Sequence, residues 1–162
     1  MATHTATSIL SSMQQRYGSL ENPRFDFVET AIDDRPYDAL VRELDTHFSV
    51  EEDTDPNDDV SFGFLLRRDT RRWVLRLSMV GPYAALTRLR GHRVFLVDPD
   101  RTDLSDVEQE ILGIVQAHGL TPIDQATLTV RVPLRLHNTD PENVRLYQAL
   151  FTDTDWLPWE RQ

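Results

Sequence analysis

Apolar and polar residues alternate along parts of this chain with the period of a β-strand, and elsewhere recur with the three-and-four spacing of a helix. In residues 72–80, Trp73, Leu75, Leu77 and Met79 share one face while Val74, Arg76, Ser78 and Val80 share the other. Residues 60–66 are equally rich in strand formers. The segment 67–71 between the two runs predicts a hairpin with a turn of three to five residues. After Gly81 and Pro82, which break the second run, residues 83–89 read as a short helix or turn and 93–97 as a strand. Residues 126–136 alternate as a last long strand, with Pro133 restricting that point to an edge or bulge.

Helical spacing is clearest in two places. Over residues 36–48, Tyr37, Leu40, Val41, Leu44 and Phe48 form one stripe, with Asp33 or Asp34 able to cap it and Pro36 in its first turn. Over residues 104–118, Leu104, Val107, Ile111, Ile114 and Val115 form another, with Thr102 or Asp103 before it and Gly119 after it. A third helix is expected over residues 140–151, opened by Asp140 and Pro141. Residues 5–17 put Ile9, Leu10, Met13 and Tyr17 on one face, but a Thr- and Ala-rich start leaves residues 1–20 either helical or flexible. Phe25 and Phe27 alternate within 24–32, which reads as a short extended segment, and residues 152–159 read as irregular and aromatic.

The order helix, hairpin, strand, helix, strand, helix lacks the regular alternation of a doubly wound fold. It predicts an α+β class: one domain over residues 1–162, with a single, largely antiparallel sheet of about four or five strands and helices packed on one face. Trp73, Leu75, Leu77, Val107, Ile111, Ile114, Leu128 and Val130 are its expected core.

Composition narrows the function. At 162 residues the chain is one ordinary domain, and with no cysteine it has no thiol nucleophile, thiolate metal site or redox dithiol. All 17 basic residues are arginine, so lysine chemistry is excluded too. A net charge of −10 argues against a direct nucleic-acid partner. The longest apolar runs fall far short of the ~20 residues of a membrane span, and no export signal is evident, so a cytoplasmic protein without a membrane partner is expected.

Catalytic signatures are missing. His4, His47, His92, His118 and His137 show no metal-binding spacing, and there is no nucleophile elbow or phosphate-binding loop. Catalytic residues, a metal and a cofactor are accordingly all expected to be none. Asp98, Asp100, Asp103 and Asp106 read as turn and helix-start acids, although Asp98, Asp100 and His92 are the residues an acid–base enzyme would use. Arg67, Arg68, Arg71 and Arg72 gather at one hairpin turn around Asp69, a mixed solvated turn rather than a phosphate site.

Charge is distributed unevenly: residues 1–60 carry net −10, 61–100 net +5 and 101–162 net −5. Two acidic groups stand out as candidate partner-binding residues: Glu51, Glu52, Asp53, Asp55, Asp58 and Asp59 before the hairpin, and Asp153 and Asp155 with Trp156 and Trp159 near the end. Converging in space, they would make one anionic face with an apolar anchor, suited to a basic protein partner.

The blocks WVLRLSMVGPYAAL and NVRLYQALFTDTDWLPW resemble uncharacterised bacterial proteins, some of the kind encoded beside polymorphic or contact-dependent toxins as immunity proteins. That resemblance implies a role, binding and blocking one toxin domain, and carries over no functional residue. An immunity protein acting as monomer or homodimer is thus the leading expectation. A small enzyme with a carboxylate/His site and a structural or regulatory subunit acting by self-association are the alternatives.

Overall fold

The hairpin at the centre of the chain organises everything else. In the computed structural model, which describes residues 2–160, β2 (Ser61–Arg68) and β3 (Arg71–Ser78) pair antiparallel from Ser61↔Ser78 to Arg68↔Arg71. Their turn is only Asp69 and Thr70, shorter than expected, because Asp69 takes φ 56°, a left-handed conformation that aspartate tolerates. Cross-strand pairs Phe62/Leu77, Phe64/Leu75 and Leu66/Trp73 are all buried, so one face of the hairpin is continuously apolar.

Residues 83–89 form neither helix nor turn: β4 (Tyr83–Arg90) is a strand, antiparallel to β3. Tyr83 to Thr87 are buried without interruption, so a strand covered on both faces shows no two-residue alternation to read. β5 (Arg93–Leu96) pairs with its Thr87–Arg90 half and the short β6 (Thr121–Pro122) runs parallel to Tyr83 and Ala84. On the other side, β1 (Ser49–Glu52) joins β2, placing Glu51 and Glu52 on an edge strand rather than in the expected loop. The sheet has six strands, in the order β1-β2-β3-β4-β5 with β6 beside β4, and is antiparallel except for β6.

α3 (Asp38–His47) and α4 (Asp106–Ala117) cover the face that carries Trp73. Phe48, just past α3, meets Trp73 edge-on, and Glu108 of α4 accepts a hydrogen bond from Trp73 Nε1 at 3.0 Å. Most of both stripes read from the sequence is buried, Leu40 and Leu44 on α3 with Phe48 at its end and Val107, Ile111, Ile114 and Val115 on α4, while Tyr37, Val41 and Leu104 are half-buried. The caps differ from expectation. Asp33 and Asp34 end the preceding helix, α2 (Asp26–Asp34), leaving Tyr37 at the start of α3, and α4 is capped by Ser105 rather than Thr102 or Asp103. Ser105 Oγ accepts from Glu108 N–H while Glu108 Oε1 accepts from Ser105 N–H, a reciprocal capping box. Ser105→Ala should cost ~1 kcal/mol by urea denaturation; no measurable loss would show that the Glu108 half of the box suffices.

The opposite face receives α1 (Ala2–Tyr17), α6 (Leu146–Leu150) and the C-terminal segment. Ser78 Oγ and Ser61 Oγ donate to the carbonyls of Leu150 and Phe151, each at 2.7 Å, and buried Tyr17 donates to Ala149 O at 2.6 Å. Ile9, Met13 and Tyr17 are fully buried, so the first helix is part of the core.

Four further expectations change. Residues 24–32 are not extended: Asp26–Asp34 is helix α2, because Phe27, Val28, Ala31 and Ile32 supply a helical stripe and Phe25 lies outside it. Residues 126–136 are not a strand of the sheet. Asp124 caps the short α5 (Gln125–Leu128), after which an irregular segment meets 144–146 through the bridge Arg131↔Arg145. Leu128, Val132 and Leu134 face inward but Val130 is 43% exposed, so Val130 is not a core residue. The helix expected over residues 140–151 is split into a 3-10 turn at Pro141–Asn143 and α6.

Candidate functional site

At the end of the sheet opposite the Asp69-Thr70 turn, the two acidic groups meet. The chain enters β2 through an acid-rich loop that folds on itself: Asp55 Oδ1 accepts from Asn57 N–H, and Asp55 N–H donates to Asp59 Oδ2. The C-terminal segment runs alongside. Asp153 N–H donates to Asp58 O at 2.9 Å, and Asp59 and Thr152 form a bridge.

Asp153 is the centre of this arrangement. Its carboxylate accepts from the backbone N–H groups of His137 and Asn138 and from Thr139 Oγ1, and Asn138 Nδ2 reaches across to Asp58 Oδ1 at 2.9 Å. Two residues on, Asp155 Oδ1 accepts from Asp140 N–H and Asn143 Nδ2, which hold its carboxyl below the usual aspartate range. Loop 137–143 is thus wound around the two C-terminal aspartates, and Asp58 is bound to the same loop.

The remaining acids have separate partners. Asp59 is buried, where it receives Thr152 Oγ1 at 2.8 Å and lies 3.4 Å from Arg76, so it holds the loop rather than facing a partner. Glu52 forms a two-pronged pair with Arg35, at 2.6 and 3.0 Å, and that guanidinium, helped by Thr54, lowers its carboxyl pKa. Glu51 is exposed, 3.8 Å from Arg67. Asp53, Asp55 and Asp58 are exposed. Among the candidate acids, Asp58, Asp59, Asp153 and Asp155 are therefore brought together, while Glu51 and Glu52 lie along the neighbouring sheet edge.

The tryptophans separate. Trp159 is half-buried, edge-on to Tyr147 with ring centroids 5.2 Å apart, whereas Trp156 is 53% exposed. Phe25, which sequence reasoning did not single out, is 42% exposed and lines a cavity of about 320 Å³ together with Val60, Leu136, Asp58, His137 and Asp153. The sequence pattern put Phe25 beside Phe27 in an extended segment, and that alternation carries no signal of exposure. An exposed aromatic beside carboxylates is the composition of an interface anchor.

Residues for acid–base chemistry do not assemble. Asp98 accepts from the backbone N–H groups of Asp100 and Gln125, while His92 sits at the far tip of the β4–β5 hairpin with the whole of β5 between them. Among the described residues no three His, Asp or Glu side chains are grouped to hold a metal ion, and no helix is long and apolar enough to cross a membrane. The molecule is of the α+β class with an anionic end built from two distant parts of the chain. In comparison with known proteins, no family model, no curated protein and no solved structure matches it.

Proposed function

We propose that this protein is a cytoplasmic binding protein, an immunity protein that neutralises a cognate bacterial toxin by covering a cationic surface of it. The observation that carries this reading is the junction of the acid loop with the C-terminal segment, where Asp153 N–H meets Asp58 O. It gathers carboxylates from two distant parts of the chain beside the exposed aromatics Phe25 and Trp156. Toxins that cut nucleic acid have cationic clefts, and clustered carboxylates on a rigid frame steer and orient such a partner. Asp153 and Asp155 are held by backbone N–H groups, so little ordering is left to be done on binding. The separation of His92 from Asp98 and Asp100 by the length of β5 supports binding over acid–base chemistry.

The test is whether the protein restores growth to cells producing the toxin domain encoded beside its gene, followed by binding kinetics at two salt concentrations. Asp53→Arg with Asp58→Arg should slow association and flatten its salt dependence, since exposed charges act mainly on encounter. Trp156→Ala should accelerate dissociation, at a cost of ~2 kcal/mol, as truncation of an interface anchor does. Absence of rescue by the wild-type protein would refute the proposal. Unaltered association of the charge-reversed protein would remove the anionic end from it.

A further inference from the structure

The opposite end of the sheet has the reverse character. β2–β3 and β4–β5 are adjacent hairpins whose turns, Asp69-Thr70 and Gly91-His92, lie side by side at one end. Their last pairs are Arg68↔Arg71, Arg67↔Arg72 and Arg90↔Arg93, arginine directly opposite arginine in all three. Trp73 pairs with Arg88 and Arg72 with Leu89, so one more step of that register sets Arg71 beside Arg90. Alternation then puts Arg68, Arg71, Arg90 and Arg93 on one face, a row across four strands and about 14 Å long at ~4.8 Å per strand.

Like charges directly opposite on a sheet are destabilising, and the chain offsets only part of this row. Arg68 pairs with Glu110 at 2.9 Å, and Arg71 lies 3.9 Å from Asp69. Among the described residues Arg72, Arg90 and Arg93 have no ion pair; Arg93 lies over the Phe95 ring. Nearby acids are already engaged: Asp103 by Arg101 at 2.8 Å and Glu108 by Arg88 at 2.6 Å. Between the tips is a groove of about 540 Å³, lined by Arg71, Arg72, Arg88 and Arg90 on the strands and by Asp103, Ser105 and Glu108 on the side where α4 begins, both acids being those already engaged. Arg88 is clamped in it through Nε and Nη2 by buried Glu108, so its guanidinium is positioned in advance.

We propose that this groove binds a run of linked phosphates, with Arg71, Arg88 and Arg90 as its ligands and Arg72 at its rim. Guanidinium groups bind phosphate oxygens in pairs of parallel hydrogen bonds. A single phosphate meets one or two of these arginines, whereas linked phosphates are long enough to reach Arg88 as well and to relieve the repulsion between Arg71 and Arg90. The anionic end lies about 25 Å away, the length of an eight-residue strand, beyond the ~8 Å screening distance at physiological salt. This site is therefore independent of the toxin-binding proposal. The phosphates can come from free polyphosphate or from the phosphate chain of a nucleotide.

Calorimetric titration at low salt with tripolyphosphate and, separately, with ATP tests the proposal. One molecule should bind per chain. ATP binding far more tightly than tripolyphosphate would make the ligand a nucleotide; equal affinity would make it the phosphate chain alone. R71Q and R90Q should each weaken binding about tenfold, the equivalent of one charge-assisted hydrogen bond, whereas R135Q, outside the groove, should not. Without ligand, R90Q should melt no lower than wild type, since it removes a like-charge pair. A merely structural arginine would instead lower the melting temperature and leave anion binding alone. No binding of either anion, an equal response to sulfate at matched ionic strength, or undiminished binding by the R71Q/R90Q double variant would overturn the assignment.

Discussion

Glu108→Ala is expected to destabilise the protein by ~3 kcal/mol, toward the lower end of what breaking a buried ion pair costs. Glu108 is 1% exposed yet accepts four hydrogen bonds, from Trp73 Nε1, Arg88 Nε and Nη2, and Ser105 N–H. Alanine leaves the buried indole N–H without an acceptor and removes half of the capping box. Arg88 can turn to water, its side chain being 38% exposed, which keeps the loss from being larger. Burial alone would push the Glu108 carboxyl up, but the hydrogen bonds from Arg88, Trp73 and Ser105 outweigh it and the pKa is lowered.

A carboxylate whose pKa is lower folded than unfolded stabilises the fold above the ordinary glutamate range, and that contribution fades as pH falls through the folded value. The stability gap between wild type and Glu108→Gln should therefore be widest at neutral pH and close on acidification. Urea denaturation at pH 7 and near pH 3.5 reads this directly. Glu52, Glu110 and Asp155 are lowered as well, by Arg35, by Arg68, and by the Asp140 backbone N–H respectively, so both proteins weaken in acid and only the difference isolates Glu108. A gap that does not change with pH would mean that the carboxylate's charge contributes nothing.

Ile111→Ala should cost ~2–5 kcal/mol, the range for large-to-small changes in a packed core. Ile111 is fully buried in the middle of the α4 stripe, between Val107 and Val115 and toward the sheet. In a domain of this size the loss corresponds to a melting temperature lower by about 10 °C. The urea slope should stay as in wild type, because the folded state keeps its extent. A loss below ~0.5 kcal/mol, the scale of surface substitutions, would mean that α4 does not seal the sheet as the structure has it.

The α+β class, the β2–β3 hairpin and helices α3 and α4 were legible in the chain because each advertises its buried face within a local window. Trp73, Leu75 and Leu77 alternate, and Val107, Ile111 and Ile114 recur by threes and fours, whatever the rest of the molecule does. β4 was not legible, since it is buried on both faces and its alanines and leucines read as helix. The alternation of residues 126–136 misled for the converse reason: an extended segment lying against loop 144–146 can alternate without entering the sheet.

The site divides in the same way. Acid-rich loop, acidic aromatic tail and an arginine-rich turn are properties of composition, and composition is local. That Asp58 meets Asp153 depends on residues 151–153 returning to the start of β2, where Asp153 collects the N–H groups of His137 and Asn138. That Arg71 stands beside Arg90 depends on strand order, which brings two hairpin tips to one end of the sheet. A sequence pattern states which face of an element is apolar; which elements become neighbours is decided by closing long loops around a shared core, and only the folded chain contains that information.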